Sequence, residues 1–159
     1  MAKAKGTPAI VVLERAGVEF TLHEYEVAGG DGTYGEAVAG ALGVDPARLF
    51  KTLVATVDDS PVVGIVPVAG RLSLKRLAAA AGGKRGAMAD PSDAQRLTGY
   101  VIGGISPFGQ RRRLPAYLDD TAFGYETVFV SAGRRGLQVE VTPGDLVAVT
   151  GAVAVAIAG

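Results

Sequence analysis

The sequence predicts one α+β domain: a mixed, largely antiparallel sheet, open to curling into a barrel, with helices around it. Three observations carry that prediction. The chain has 159 residues, 48% of them hydrophobic and 20% charged, which suits a single sizeable core and argues against long disorder. Short β-branched runs come in pairs joined by turn residues. Helical stretches fall between them without a steady βαβ rhythm. No repeat or low-complexity linker divides the chain, so residues 1–159 are read as one domain.

The elements follow in order. Thr7-Pro8 is an N-cap and first-turn pair that starts a helix over 8–16, ended by Gly17. Val18, Phe20 and Leu22 alternate with Glu19, Thr21 and His23, which predicts a half-buried strand closed by Tyr25. A glycine-rich loop, AGGDGT, spans 28–33; no Gly-Lys-Ser/Thr follows it, so it is not a Walker loop. A second helix fits 34–42, and Asp45-Pro46 starts a further turn. FKTLVATV at 50–57 is a strong strand. Its hairpin partner is read at 62–68, after a turn at 58–61, with Pro67 near an end or edge. Ser73 caps a helix over 74–81, and Asp90-Pro91 starts another that ends near Gly99. Tyr100, Val101 and Ile102 are β-formers and read as a strand start. Strands are expected at 116–120, 127–131 and 137–141, with Arg134-Arg135-Gly136 as a basic turn. Thr142-Pro143 begins a final helix to Thr150; residues 152–158 fit either a strand or an apolar tail.

Composition removes several kinds of chemistry. The formal net charge is zero, so nucleic-acid binding would need a local basic patch. There is no cysteine, which excludes thiol nucleophiles, cysteine-zinc sites and disulfides, and fits a cytoplasmic protein. His23 is the single histidine, so no multi-histidine metal site can form; neither a metal nor a cofactor is expected. No stretch reaches the roughly 18 apolar residues of a membrane span, and the N-terminus does not read as a signal peptide.

The candidate site starts at residues 99–114, GYVIGGISPFGQRRRL. Glycines here allow close approach of a ligand to the backbone, and gathered N–H groups can bind an anion. Turn punctuation alone is an equally good reading. Lys51 shares a strand face with Leu53, Ala55 and Val57, so it either reaches water at the strand end or serves as a fixed cation. His23 is the one ordinary general base near neutral pH, but no G-x-S-x-G elbow accompanies it, and a structural or rim position fits better. Lys84-Arg85, Arg111-Arg112-Arg113 and Arg134-Arg135 are short basic runs: solvated surface singly, a phosphate-tracking patch if gathered. Ser131 is a plausible site hydroxyl or a plain turn partner.

Five ordered motifs, TPA at 7–9, LHEYE at 22–26, LFKTLV at 49–54, GYVIGGISPFGQRRRLPAYLD at 99–119 and VFVSAGRRGLQVEV at 128–141, resemble the YbaK/EbsC family. These are free-standing relatives of the editing domain of prolyl-tRNA synthetase, described as Cys-tRNA(Pro) deacylases. The resemblance spans nearly the whole chain. It implies a barrel-like mixed sheet flanked by helices, and hydrolytic removal of a wrong amino acid from the tRNA 3′ end. It makes Lys51 the key site residue and maps Thr52, Tyr25, Tyr34, Gly103, Gly104, Ile105, Ser106, Pro107 and Ser131 to the site. Gln138 receives no role.

The chemistry it implies is substrate-assisted: the misattached cysteine's own thiol attacks the ester carbonyl. The protein would position the ester and stabilise the oxyanion, with Gly103 and Gly104 N–H groups suited to the latter. Arg111, Arg112, Arg113, Arg134 and Arg135 would follow acceptor-stem phosphates, and prolyl-tRNA synthetase is a possible partner. Alternatives are removal of alanine from Ala-tRNA(Pro) by water, and a non-catalytic tRNA- or synthetase-binding module.

Overall fold

The computed structural model describes residues 6–26 and 34–159. The glycine-rich loop read at 28–33 lies outside the described residues. Helix α1 (Pro8–Ala16) starts as its sequence dictates, with Thr7 Oγ1 accepting the Ile10 N–H at 3.1 Å. It buries Ala9, Ile10 and Leu13 in the main core. Strand β1 (Thr21–Glu24) and helix α2 (Tyr34–Leu42) follow. Strands β2 (Phe50–Val57) and β3 (Ser60–Pro67) form a long antiparallel hairpin. Next come α3 (Leu74–Ala80), β4 (Gly86–Met88), α4 (Pro91–Thr98) and β5 (Ala116–Asp119), the last leading into a 3-10 turn at Asp120–Gly124. The chain finishes with β6 (Val128–Arg134), β7 (Leu137–Val141), α5 (Pro143–Thr150) and β8 (Val153–Val155).

The strands form two sheets, ordered β1-β7-β6 and β4-β2-β3-β5-β8. Pairing is mixed and mostly antiparallel; among the described strands only β3–β5 and β5–β8 run parallel. The sheets meet at a bridge between Leu49 and Phe129, where Phe129 N–H donates to the Arg48 carbonyl at 3.1 Å. Neither sheet closes on itself among the described residues, so the curled core takes the form of two bridged sheets.

Alternation along β6 and β7 decides where the site lies. Val128, Val130, Leu137, Val139 and Val141 face the main core, with α1 and α4 packed on it. The opposite face carries His23, Phe129, Ser131, Gln138 and Glu140, paired as His23 to Gln138, Ser131 to Gln138 and Phe129 to Glu140. On this second face Phe129 packs with Val38 and Ala39 of α2 and with Leu49, which sets α2 over part of it.

Several sequence expectations need correction. The first strand covers only Thr21–Glu24 and not 18–25. Its partner β7 ends at Val141, and Thr142 then caps α5, so residues 18 and 19 have no strand beside them. Ser60 and Pro61 belong to β3: the hairpin turns on Asp58 and Asp59 alone, both with positive φ, as a tight two-residue turn requires. Residues 100–102 are not a strand. They leave α4 through Gly99, find no pairing edge, and expose Val101 at 56%. The ambiguous tail forms β8 and a bridge from Ala158 to Leu72.

Candidate functional site

A cavity of about 280 Å³ opens between α2, the start of β2 and the exposed-side face of β6 and β7. Tyr34, Gly35 and Val38 line it from α2. Leu49 to Leu53 supply the β2 side, Val68 and Ile105 add apolar surface, and Gly103, Ser131 and Gln138 complete it. Lys51 is the one charged side chain on this wall among the described residues, and none of them pairs with it by hydrogen bond or ion pair. An unpaired ammonium in a largely apolar recess is a ready partner for an incoming oxygen.

Three neutral polar groups surround it. Ser131 Oγ accepts the Gly133 N–H at 3.1 Å, which leaves its own hydrogen for another acceptor. Thr52 and Gln138 are 7% and 6% exposed, and Thr52 Oγ1 and Gln138 Oε1 have no hydrogen-bond partner among the described residues. Behind the wall, Gln138 Nε2 donates to the Tyr25 hydroxyl at 3.4 Å, and the Tyr25 and Tyr34 hydroxyls stand 3.3 Å apart. Burial and the Tyr25 hydroxyl push the Tyr34 phenol up to about 12, so it stays protonated at neutral pH. Tyr25 therefore acts one layer back, through Tyr34 and Gln138, and does not line the cavity.

The loop after α4 is braced at three points. The Tyr100 hydroxyl donates to the Phe108 carbonyl at 2.7 Å, the Ile102 N–H donates to Gln95 Oε1 at 3.0 Å, and the Gly104 N–H donates to the Val101 carbonyl at 2.9 Å. The last bond engages the Gly104 amide, so of the two glycines expected to present N–H groups only Gly103 borders the cavity. Ser106 is fully buried and its Oγ accepts the Phe108 N–H at 3.1 Å, a turn-forming role. Pro107 faces a second cavity of about 210 Å³, with Val12, Phe108 and Arg113. Gly104, Ser106 and Pro107 thus hold the loop's shape, while Gly103 and Ile105 reach the recess.

The arginines separate in the same way. Arg135 is tied to the site: its Nε donates to the Ile102 carbonyl at 3.0 Å, and its guanidinium lies 5.2 Å over the Tyr34 ring. Arg134 pairs with Glu24 at 3.4 Å on the exposed surface. Arg113 bonds the Thr150 carbonyl at 3.2 Å beside the second cavity, and Arg111 and Arg112 are exposed beyond Gly99. Lys84 and Arg85 sit at the far end of β2, their N–H groups on the Asp58 carboxylate, about 20 Å of strand away from Lys51.

His23 lies outside the cavity. Its Nε2 is 2.9 Å from Glu140 Oε1, and Glu140 Oε2 also receives Thr127 Oγ1 at 2.6 Å and Arg48 Nη2 at 3.2 Å. The Thr127 hydroxyl, followed by His23 and Arg48, holds the Glu140 carboxyl below its usual range despite partial burial. Among the described residues no three His, Asp or Glu side chains gather as a metal set. No described helix is long and apolar enough to cross a membrane.

Sequence reasoning missed Gln138. The one available signal was alternation, which puts Gln138 on the face away from Leu137 and Val139; it stands opposite Ser131 because the ladder shifts register between Ser131 and Arg134, which no local pattern announces.

An α+β domain of this architecture has known counterparts. Residues 32–149 match the family described as the aminoacyl-tRNA editing domain, and the chain belongs to that family. The chain is 39% identical over 155 residues to EbsC of Enterococcus faecalis, whose name gives Cys-tRNA(Pro)/Cys-tRNA(Cys) deacylase as its proposed activity; the match covers 94% of this chain and 93% of that protein. It is 26% identical over 137 residues to the multifunctional Ser/Thr-tRNA deacylase ProXp-y of Escherichia coli K12, covering 86% and 82%. A crystal structure described as a proposed trans-editing enzyme for prolyl tRNA synthetase superposes with a TM-score of 0.80 at 26% identity, covering 98% of this chain and 99% of that one.

Proposed function

We propose that this protein is a trans-editing aminoacyl-tRNA deacylase that removes cysteine from Cys-tRNA(Pro), and from Cys-tRNA(Cys) where it meets it. The observation that carries this reading is convergence: Lys51 and Thr52 of β2, Gly103 of the loop after α4 and Ser131 of β6 border one recess. Family membership and the likeness to EbsC support the substrate class.

The recess suits an ester with its own nucleophile. The cysteine sulfur attacks the ester carbonyl carbon, the bond from that carbon to the ribose oxygen breaks, and the thiol proton ends on the departing 3′-terminal hydroxyl. The amino acid leaves as a four-membered thiolactone, which water opens. No protein nucleophile is needed; the wall has to hold the ester and bear the charge that develops on its oxygen. Lys51 supplies the positive charge, and the Thr52 and Ser131 hydroxyls and the Gly103 backbone surround it. Arg135, clamped over Tyr34 at the mouth, meets the phosphate of the terminal nucleotide; the other exposed arginines contribute long-range attraction. Prolyl-tRNA synthetase supplies the tRNA selection that a small recess lacks, and the protein works in the cytoplasm.

Purified protein incubated with Cys-, Ser-, Thr- and Ala-tRNA tests the reading. Release of cysteine well ahead of alanine is expected. Faster release of alanine would overturn thiol assistance, and binding without release of any amino acid would make the protein a non-catalytic module.

A further inference from the structure

Two residues of the recess share a defect. Thr52 Oγ1 and Gln138 Oε1 are buried with no hydrogen-bond partner among the described residues, and both residues belong to the wall of the same cavity. Buried polar atoms are nearly always satisfied, so two orphans in one cavity wall mark where a ligand's polar groups complete them. Their chemistry differs. A hydroxyl donates or accepts, whereas a carboxamide oxygen only accepts. The amide is held from behind, because Gln138 Nε2 donates to Tyr25, which is itself in contact with Tyr34.

An aminoacyl ester carries one group that must find acceptors, its α-ammonium. No carboxylate lines the recess among the described residues, and the one charged wall residue, Lys51, repels a second cation. The ammonium is therefore driven towards the acceptor-only oxygen. A carboxylate at this position would also have attracted Lys51; an amide accepts the ammonium and leaves Lys51 free for the ester.

Resting on the deacylase reading above and deepening it, we propose that Gln138 is a specificity-determining residue: its Oε1 receives the substrate α-ammonium, so the enzyme favours aminoacyl esters with a free amine over N-acylated or peptidyl esters.

The test compares cysteinyl-tRNA with N-acetylcysteinyl-tRNA, which keeps the reacting thiol. Wild-type enzyme is expected to prefer the free amine by about 10- to 100-fold in kcat/KM, the scale of one hydrogen bond to a charged group. In Gln138→Leu the preference falls to within about threefold, because the rate on the free amine drops while the rate on the acetylated ester is retained. That retained rate also reports a folded protein, and Gln138→Met replaces the leucine variant if it does not fold. A wild type without preference, or a leucine variant that slows both substrates equally, would overturn the proposal while leaving the deacylase reading standing. Absence of all cysteinyl-tRNA turnover in the wild type would overturn both.

Discussion

Gly104 lies so close to Arg134 that a Cβ added to it would sit 2.8 Å from the Arg134 Cα and 2.9 Å from the Arg135 nitrogen. The space a side chain would need is filled by the backbone of the β6–β7 turn. Backbone cannot rotate away, so Gly104→Ala should shift the loop off the hairpin and cost about 1–3 kcal/mol, the range for overpacking. Gly103 has φ +90° and its added Cβ would strike the Arg135 guanidinium, a flexible group, but the backbone angle itself disfavours any side chain. Chemical denaturation of both alanine variants checks this. Gly103→Ala should also release Arg135 from Tyr34, seen as a weaker salt dependence of tRNA binding.

This contact also explains what was legible in the sequence. The two glycines at 103–104 drew attention as a place where a ligand could approach the backbone; for Gly104 the close neighbour is the chain's own hairpin. Helices capped by Thr7, Ser73 and Thr142 were readable to within a residue because capping and the first turn are local. The strand expected at 100–102 failed because β-propensity says nothing about whether a partner edge is present. Lys51, Thr52 and Ser131, which border the recess with Gly103, were named together mainly through the family resemblance. Gln138 was not, since its importance depends on two partners, Ser131 across the hairpin and Tyr25 behind it, that no local pattern joins.

Tyr34 should ionise late. Its phenol is pushed up to about 12 by burial first and the Tyr25 hydroxyl second. Tyr25→Phe removes the second cause and leaves the first, so the midpoint should fall below 12 while remaining above the ordinary value of about 10. Tyrosine-selective NMR titration reads it directly. The same variant frees the Gln138 amide to turn, and deacylation should drop with KM rising more than kcat falls.

Asp119 anchors the C-terminal segment. One oxygen accepts the Ile157 and Ala158 N–H groups, each at 2.9 Å, and the other accepts the Thr121 hydroxyl at 2.5 Å. Burial is the largest single influence and opposes the charge; the Thr121 hydroxyl and the three backbone donors together outweigh it and hold the carboxyl below its usual range. A depressed folded-state value means the charge stabilises the fold above about pH 4, and the contribution fades as pH falls through the folded value. Asp119→Ala should cost about 1–3 kcal/mol at neutral pH by stranding buried donors. The gap between wild type and variant should narrow below about pH 4, measured by urea unfolding across that range.

Glu140 behaves with the same sign on the other sheet, through Thr127, His23 and Arg48. Because this network adjoins the recess without entering it, Thr127→Val should lower stability at neutral pH, by a margin that narrows as pH falls through the depressed Glu140 value, and leave cysteine release at neutral pH within about twofold of wild type, as expected for a change outside the reacting centre. A large loss of turnover with unchanged stability would place the network in the chemistry.

The most direct measurement is deacylation of Cys-tRNA by Lys51→Ala. Lys51 is the single charged side chain bordering the recess among the described residues. Loss of at least about 100-fold in rate, the scale of removing one oxyanion stabiliser, is expected with thermal stability close to wild type. Release of cysteine at the wild-type rate by a folded Lys51→Ala protein would contradict a lysine-centred deacylase site.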